Sequence, residues 1–205
     1  MAYNTYVYGQ ALLNFSLPLY LTDSIKVMLM TSTYTPNKDT HAFKSDITNE
    51  VVGTNYVATG QALASKTAAY LSATTAPAWA AATAYVVGDV VRKVAANGHV
   101  YRCIVAGTSG GGEPAWPTTP GVTIVDNTVT WAESGFGVLT FSAANPVWAA
   151  STLTARYAAI YDATPASDAT RPLLCYIDFG ADQSTTNASF TIQVSGDGLF
   201  RIPID

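Results

Sequence analysis

The sequence predicts an all-β protein, with an antiparallel β-sandwich host domain that carries a small inserted β module. Its apolar runs are short, and turn-forming residues separate them closely, as is typical of antiparallel sheets. The length of 205 residues suits one sandwich with a small satellite, or two modest domains. Only residues 3–15 show a helical rhythm, which stops before Pro18, so at most one or two short helices are expected.

Strands are predicted wherever an apolar run lies between turn signals. Two pairs of runs flank short polar turns, at Asn97-Gly98 and at Asp126-Asn127, and each pair is predicted to form a hairpin. The run 152–161 is rich in Thr and Tyr, as a central strand should be. The predicted strands are residues 25–31, 86–94, 99–105, 122–125, 128–131, 137–141, 152–161, 173–179, 188–194 and 199–202.

Charged residues inside or beside these strands leave some choices open. Alternation places Arg156 on the solvent side of its strand, and an ion pair with a partner or a facing sheet is the alternative. Asp178 is predicted to mark a strand that leads into a turn at 180–182. Residues 200–205 alternate between apolar and polar side chains and are predicted to form an edge strand, which can add to the sheet of a neighbouring subunit.

The composition changes near residue 75, which indicates a domain boundary. Small-residue joints lie at 74–78 and at 133–135, and three of the four tryptophans fall between them. We therefore predict that residues 76–135 form a module inserted into a host domain made of residues 1–75 and 136–205. Such insertions are tolerated at exposed loop tips, where the two chain ends lie close together.

The composition also excludes several classes of protein. Only 12% of the residues are charged, the net charge is −4, and Lys and Arg form no run, so a nucleic-acid binder is not expected. No apolar stretch reaches the length of a membrane span, and the N-terminal sequence does not read as a signal peptide, so assembly in a cytoplasm is expected. A sparsely charged surface favours burial against other subunits.

The residues that usually carry chemistry are scattered. His41 and His99 have no further ligands at metal-binding spacing, and no serine has the context of a nucleophile elbow. The carboxylates show no arrangement that indicates glycoside hydrolysis. We therefore expect a non-enzymatic protein without a metal or a cofactor. Cys103 and Cys175 are predicted to be free thiols in strands of different domains, since cytoplasmic disulfides are rare.

The predicted module resembles a known family. Ala78-Trp79, the strand 85–91 (YVVGDVV) and the segment 98–101 (GHVY) resemble the core of the chitin-binding type of carbohydrate-binding module, found on chitinases and phage proteins. The continuation through 113–117 and 126–131 is similar to the version that recurs in phage virion proteins. The resemblance implies a compact β unit and a glycan platform; the alternative is that the aromatic residues build the core of a small domain. The candidate glycan-binding residues are Trp79, Tyr85, Trp116 and Trp131.

The predicted host domain has a resemblance of its own. Residues 25–36 (IKVMLMTSTYTP), 39–43, 48–51, 59–64 and 148–158 are similar to a family of small phage virion proteins. The resemblance implies a virion protein that is assembled in the host cytoplasm.

Three functions are compatible with these resemblances. The first is a capsid decoration or cement protein that binds the major capsid protein and copies of itself, and displays the module towards surface glycans. The second is a tail or fibre adhesin that binds host polysaccharide, and the third is an accessory binding module without a role in the particle. The chain has no repeats or coiled-coil heptads of the kind found in fibre shafts, which favours the decoration protein.

Overall fold

The computed structural model describes residues 4–7 and 17–204, and strands dominate them. The one α-helix of the described residues is α1, Leu17–Thr22, and a 3₁₀ helix covers Lys44–Asp46. The strands are β1 Asn4–Val7, β2 Ile25–Met30, β3 Gln61–Ala62, β4 Thr67–Ser72, β5 Ala84–Tyr85, β6 Val90–Arg92, β7 Val100–Val105, β8 Gly107–Thr108, β9 Thr123–Asp126, β10 Val129–Glu133, β11 Gly137–Ser142, β12 Val147–Asp162, β13 Leu173–Thr191 and β14 Phe200–Ile204.

The chain divides into two compact units. The first comprises Met1–Thr67 and Ala143–Gln193, and the second comprises Ala68–Ser142 and Val194–Asp205. The second unit therefore contains residues 76–135 together with the segments on either side of them and the end of the chain. The insertion of a module at residues 76–135 stays a prediction.

The first unit is organised around one five-stranded antiparallel sheet, in the order β1-β13-β12-β2-β3. Apolar residues of three neighbouring strands face the same side, because Ile160 of β12 pairs with Val27 of β2 and with Cys175 of β13. All three side chains are fully buried. The residues of β2 from Val27 to Met30 are all buried, although successive residues of a strand face opposite sides. Both faces of β2 are therefore covered, which explains its dense apolar run.

Strand β13 corrects the predicted turn at residues 180–182. The strand continues from Leu173 to Thr191 and stays paired with β12 on both sides of this segment. Asp178 pairs with Tyr157 and Gln183 pairs with Ala155, so three extra residues of β13 loop out at Gly180, whose φ is +77°. The turn-forming residues thus make a bulge, because β12 is long enough to continue pairing beyond it.

The second unit is built from two small sheets and a two-stranded ribbon. Their strand orders are β6-β7-β10-β9, β14-β11-β4 and β5-β8. The larger sheet and the ribbon are antiparallel throughout, and β14 pairs antiparallel with β11. The larger sheet packs on the three-stranded sheet through a common cluster that includes Val90, Val100, Val138 and Leu71. The predicted all-β antiparallel fold class is confirmed, and this layering is consistent with a sandwich.

Both predicted hairpins form. β6 pairs with β7 around a loop in which Gly98 has φ +87°, and β9 pairs with β10 across a turn in which Asn127 has φ +55°. Gly and Asn adopt these left-handed conformations more readily than other residues, which explains why these turns could be predicted from the sequence.

The predicted helix at residues 3–15 is wrong over residues 4–7, where the backbone forms β1 and pairs with β13. Residues 8–15 lie outside the described part of the chain.

Cys103 and Cys175 are free and fully buried, one in each unit. Arg156 Nη2 lies 3.0 Å from Asp178 Oδ1 of the neighbouring strand, so the two side chains form an ion pair within the sheet. The predicted edge strand at the end of the chain is β14, which closes one side of its sheet.

Candidate functional site

The second unit brings the four candidate glycan-binding residues into one cluster. Tyr85 lies edge-on to Trp131, with ring centroids 4.8 Å apart, and Trp116 lies edge-on to Trp131 at 5.8 Å. Tyr101, which the sequence does not indicate as a ligand-binding residue, stacks on Trp116 with ring centroids 4.1 Å apart. Trp79 belongs to the same cluster. Strands β5, β7 and β10 position three of these rings, since alternate residues of each strand face the same side.

A buried carboxylate ties the cluster together. Asp126 Oδ2 accepts hydrogen bonds from the indole nitrogens of Trp79, at 2.8 Å, and Trp131, at 3.2 Å. Its other oxygen accepts one from the backbone nitrogen of Gly110 at 2.8 Å. An ideal Cβ on Gly110 would lie 3.0 Å from that oxygen, so glycine allows the close approach. The carboxylate therefore satisfies three donors at once.

The remaining polar groups of the rings are also engaged. Trp116 Nε1 donates to Glu113 Oε1 at 3.0 Å, and the same oxygen accepts from the backbone nitrogen of Val94 at 2.7 Å. The Tyr101 hydroxyl donates to the Pro117 carbonyl at 2.9 Å. Burial raises the pKa of the Tyr101 phenol, which keeps this hydroxyl a donor. These contacts hold the rings edge-on and stacked in one arrangement.

Burial decides which faces of the cluster are accessible. Trp131 is fully buried, and Trp79 and Trp116 are 7% and 9% exposed. Tyr85 is partly buried and packs against the cluster. A buried ring has no free face on which a sugar can stack, so the geometry favours the core role for the three tryptophans. Glycan binding by the set stays a prediction, with Tyr85 as its most accessible member.

Asp126 is the residue that sequence reasoning missed. The sequence indicates only that it forms half of a turn, because Asp-Asn between two apolar runs is a common hairpin signal. Its second role depends on Trp79, 47 residues away, and on Gly110 in the glycine cluster. The nearest signal in the sequence is Trp131, five residues after Asp126, since a buried indole needs an acceptor.

Two further buried charges lie in this unit. Glu133 Oε1 lies 2.6 Å from His99 Nδ1 and also accepts from the backbone nitrogen of Gly135 at 2.8 Å. Arg102, within β7, forms an ion pair with Asp197. Both arrangements brace a strand against a neighbouring turn.

Among the described residues, no group of three or more His, Cys, Asp or Glu side chains is arranged to hold a metal ion. His41 instead shares a hydrogen bond with the Tyr34 hydroxyl, at 2.8 Å from Nδ1. No helix within residues 4–7 and 17–204 is long and apolar enough to cross a membrane.

Comparisons with protein-family models, with curated proteins and with solved structures found no match to this chain.

Proposed function

We propose that the protein is a non-enzymatic structural component of a bacteriophage particle: a decoration or cement protein that binds the major capsid protein and further copies of itself. The proposal starts from the resemblance of the host segments to virion proteins. The structural observation that carries it is an ordered loop of the first unit, residues 51–60, which presents Val57 to solvent on a sparsely charged surface.

Internal hydrogen bonds hold this loop in place. Glu50 Oε1 accepts from the Tyr56 hydroxyl at 2.7 Å and from the backbone nitrogen of Thr59 at 2.6 Å. Burial raises the pKa of the Tyr56 phenol, so the hydroxyl remains a donor. Val57, between these anchors, is 72% exposed. A preformed apolar contact loses little conformational freedom when a partner covers it, which favours binding.

Further apolar side chains are exposed on both units. Large hydrophobic residues at thirteen described positions are exposed, on a chain of which only 12% is charged. A contact made by one such side chain is weak. A symmetric shell repeats the contact at every copy of the protein, so that many weak contacts together give high avidity. A cement protein would use the exposed side chains of the first unit, Val57 among them, to clamp neighbouring capsomers together.

The alternative is a tail or fibre adhesin that binds host surface polysaccharide through the second unit. One observation favours it. Thr130 pairs with Val105 on one side and with Val125 on the other, so the three side chains form a row on one face of the β7-β10-β9 sheet. The two valines are 50% and 69% exposed. This row gives the second unit an apolar surface of its own.

Copy number in purified particles separates the two functions. A quantitative gel should show the decoration protein at a number of copies comparable to that of the major capsid protein. An adhesin would be present in far fewer copies, as the symmetry of a tail dictates. A chain that never co-sediments with particles would overturn both assignments.

A matched pair of substitutions tests which surface binds the shell. Val57→Asp and Val125→Asp change residues of similar exposure, one in each unit. We expect Val57→Asp to abolish binding to undecorated shells and Val125→Asp to leave it unchanged, as measured by co-sedimentation. Binding that survives Val57→Asp but fails with Val125→Asp would assign contact to the second unit and contradict the proposed docking loop.

A further inference from the structure

A groove of about 550 Å³ lies on the first unit, and all of its lining residues belong to that unit. Its floor includes Thr152 and Thr154 of β12 with Ser184 and Thr186 of β13, all four exposed to solvent. Its wall includes Val52, which is 96% exposed. The volume falls within the range of small-ligand sites.

Hydroxyl groups dominate the floor of this groove. Thr154 Oγ1 and Ser184 Oγ lie 2.8 Å apart, so one of them donates to the other and the acceptor keeps its own proton for a ligand. Thr152 Oγ1 accepts from the backbone nitrogen of Asn187 at 3.0 Å, which orients its hydroxyl proton away from that donor. Because each hydroxyl can donate as well as accept, the floor suits a ligand that itself carries both functions.

The backbone of β12 is paired on both sides at Thr152 of the floor. Thr152 accepts from the backbone nitrogen of Thr54 at 3.0 Å and donates to the Thr54 carbonyl at 3.2 Å, while β13 occupies the other side of β12. At Thr152, an extended peptide therefore finds no free edge of β12 to which it can add. A ligand in the groove would therefore form its hydrogen bonds with side-chain hydroxyls.

The absence of charged side chains in the lining also limits which class of ligand the groove can bind. None of the nine residues that line the groove is Asp, Glu, Lys, Arg or His. A charged ligand would lose hydration without gaining an opposite charge, which costs free energy. A neutral ligand with many hydroxyls meets no such cost, and its apolar C–H groups can pack against the Val52 side chain.

We propose that this groove binds an uncharged saccharide, with the hydroxyls of Thr152, Thr154, Ser184 and Thr186 along its edge and Val52 against its C–H face. The proposal concerns the first unit and does not depend on the aromatic residues of the second. Nor does it depend on a role in a virus particle. A shallow groove without aromatic rings gives weak binding, with dissociation constants on the order of millimolar.

The test is amide chemical-shift mapping on the full chain. Chitotriose, maltotriose and mannotriose serve as neutral probes, sialyllactose as an anionic probe and a Ser/Thr-rich hexapeptide as a peptide probe. At least one neutral trisaccharide at about 10 mM should shift the amides of 152–154 and 184–186, and the other two probes should not. Shifts around Tyr85 and Trp116 alone would overturn the proposal and support the second unit as the glycan site. Shifts of the groove with the peptide only would also overturn it.

Substitutions then test the named contacts. The double variant Thr154→Val with Ser184→Ala removes both members of the hydroxyl pair, so neither hydroxyl is left without its partner. It should weaken binding at least tenfold, and Val52→Asp should do the same without affecting the fold, since Val52 is almost fully exposed. Thr40→Val, at an exposed threonine outside the lining, is the control and should bind normally. Undiminished binding in both groove variants would refute the assignment.

Discussion

At the scale of single residues, Asp126 connects three separate donors to one carboxylate. Its buried carboxylate accepts from two indole nitrogens and one backbone nitrogen, each of which would otherwise lack a protein acceptor in the cluster. A buried donor that loses its acceptor costs about 1–3 kcal/mol, because it has given up water without compensation. The carboxylate thus makes the aromatic cluster possible in a small β unit.

Replacing Asp126 by Ala should lower the free energy of unfolding by about 3 kcal/mol, because several donors lose their acceptor together. Urea unfolding followed by tryptophan fluorescence measures this loss. Asp126→Asn should lower the free energy of unfolding less, since its one carbonyl oxygen can still accept hydrogen bonds. Asp182→Ala, at an exposed position, is the control and should change stability by no more than about 0.5 kcal/mol. An Asp126→Ala protein as stable as this control would contradict the role assigned to the carboxylate.

At the scale of elements, an ionic cluster links the 3₁₀ helix to the connection between β12 and β13. Lys44 Nζ lies 2.6 Å from one oxygen of Asp168, and Arg171 Nη1 lies 2.6 Å from the other. The hydrogen bond from Lys44, together with Arg171, lowers the pKa of the Asp168 carboxyl. Lys44 is itself buried, so it depends on this partner.

The lowered pKa predicts a particular pH dependence. A carboxyl whose pKa is lower in the folded state contributes stability above its unfolded pKa, near 4, and that contribution is lost as the pH falls through the folded value. Asp168→Asn should therefore lower the Tm at pH 7, and the difference from the wild type should shrink steadily below about pH 4.

The control for this measurement is Asp39→Asn. Asp39 pairs with Lys38 at 2.7 Å, but both side chains are more than half exposed, so the pair should contribute little. Its Tm should follow the wild type at every pH. A Tm difference for Asp168→Asn that stays constant down to pH 2 would contradict an ionic contribution from Asp168.

At the scale of the whole molecule, the two compact units each contain one buried free thiol. Cys175 lies in the first unit and Cys103 in the second. Burial raises the pKa of both thiols, which suppresses the reactive thiolate, and it also shields the sulfur from reagents. The two cysteines are therefore built-in reporters of the unfolding of their own units.

Iodoacetamide at pH 8 should leave both thiols unmodified in the native protein. With increasing urea, each thiol should become reactive in the concentration range that unfolds its unit, which mass spectrometry of the two peptides resolves. Cys103→Ala and Cys175→Ala variants assign the signals. Modification of either thiol in native buffer at the rate of an unfolded peptide would contradict the burial described for it.

The sequence by itself determined the fold class and both short hairpins, because these depend on local properties. Asn97-Gly98 and Asp126-Asn127 favour left-handed backbone wherever they occur, and the period of the apolar residues predicts strands without knowledge of their partners. The bulge at Gly180 was not predictable in this way: the same residues make a turn or a bulge depending on whether β12 continues alongside.

Only the tertiary structure decided which side chains meet. The sequence identified Trp79, Tyr85, Trp116 and Trp131 as a set, and left open whether they form a core or a platform. The fold placed these rings in one cluster with Tyr101 and brought the indole donors of Trp79 and Trp131 to Asp126. It also assembled a hydroxyl groove from β12, β13 and a loop some hundred residues earlier in the chain. Burial and hydrogen bonding between residues so far apart depend on the register of the strands, which local sequence patterns do not specify.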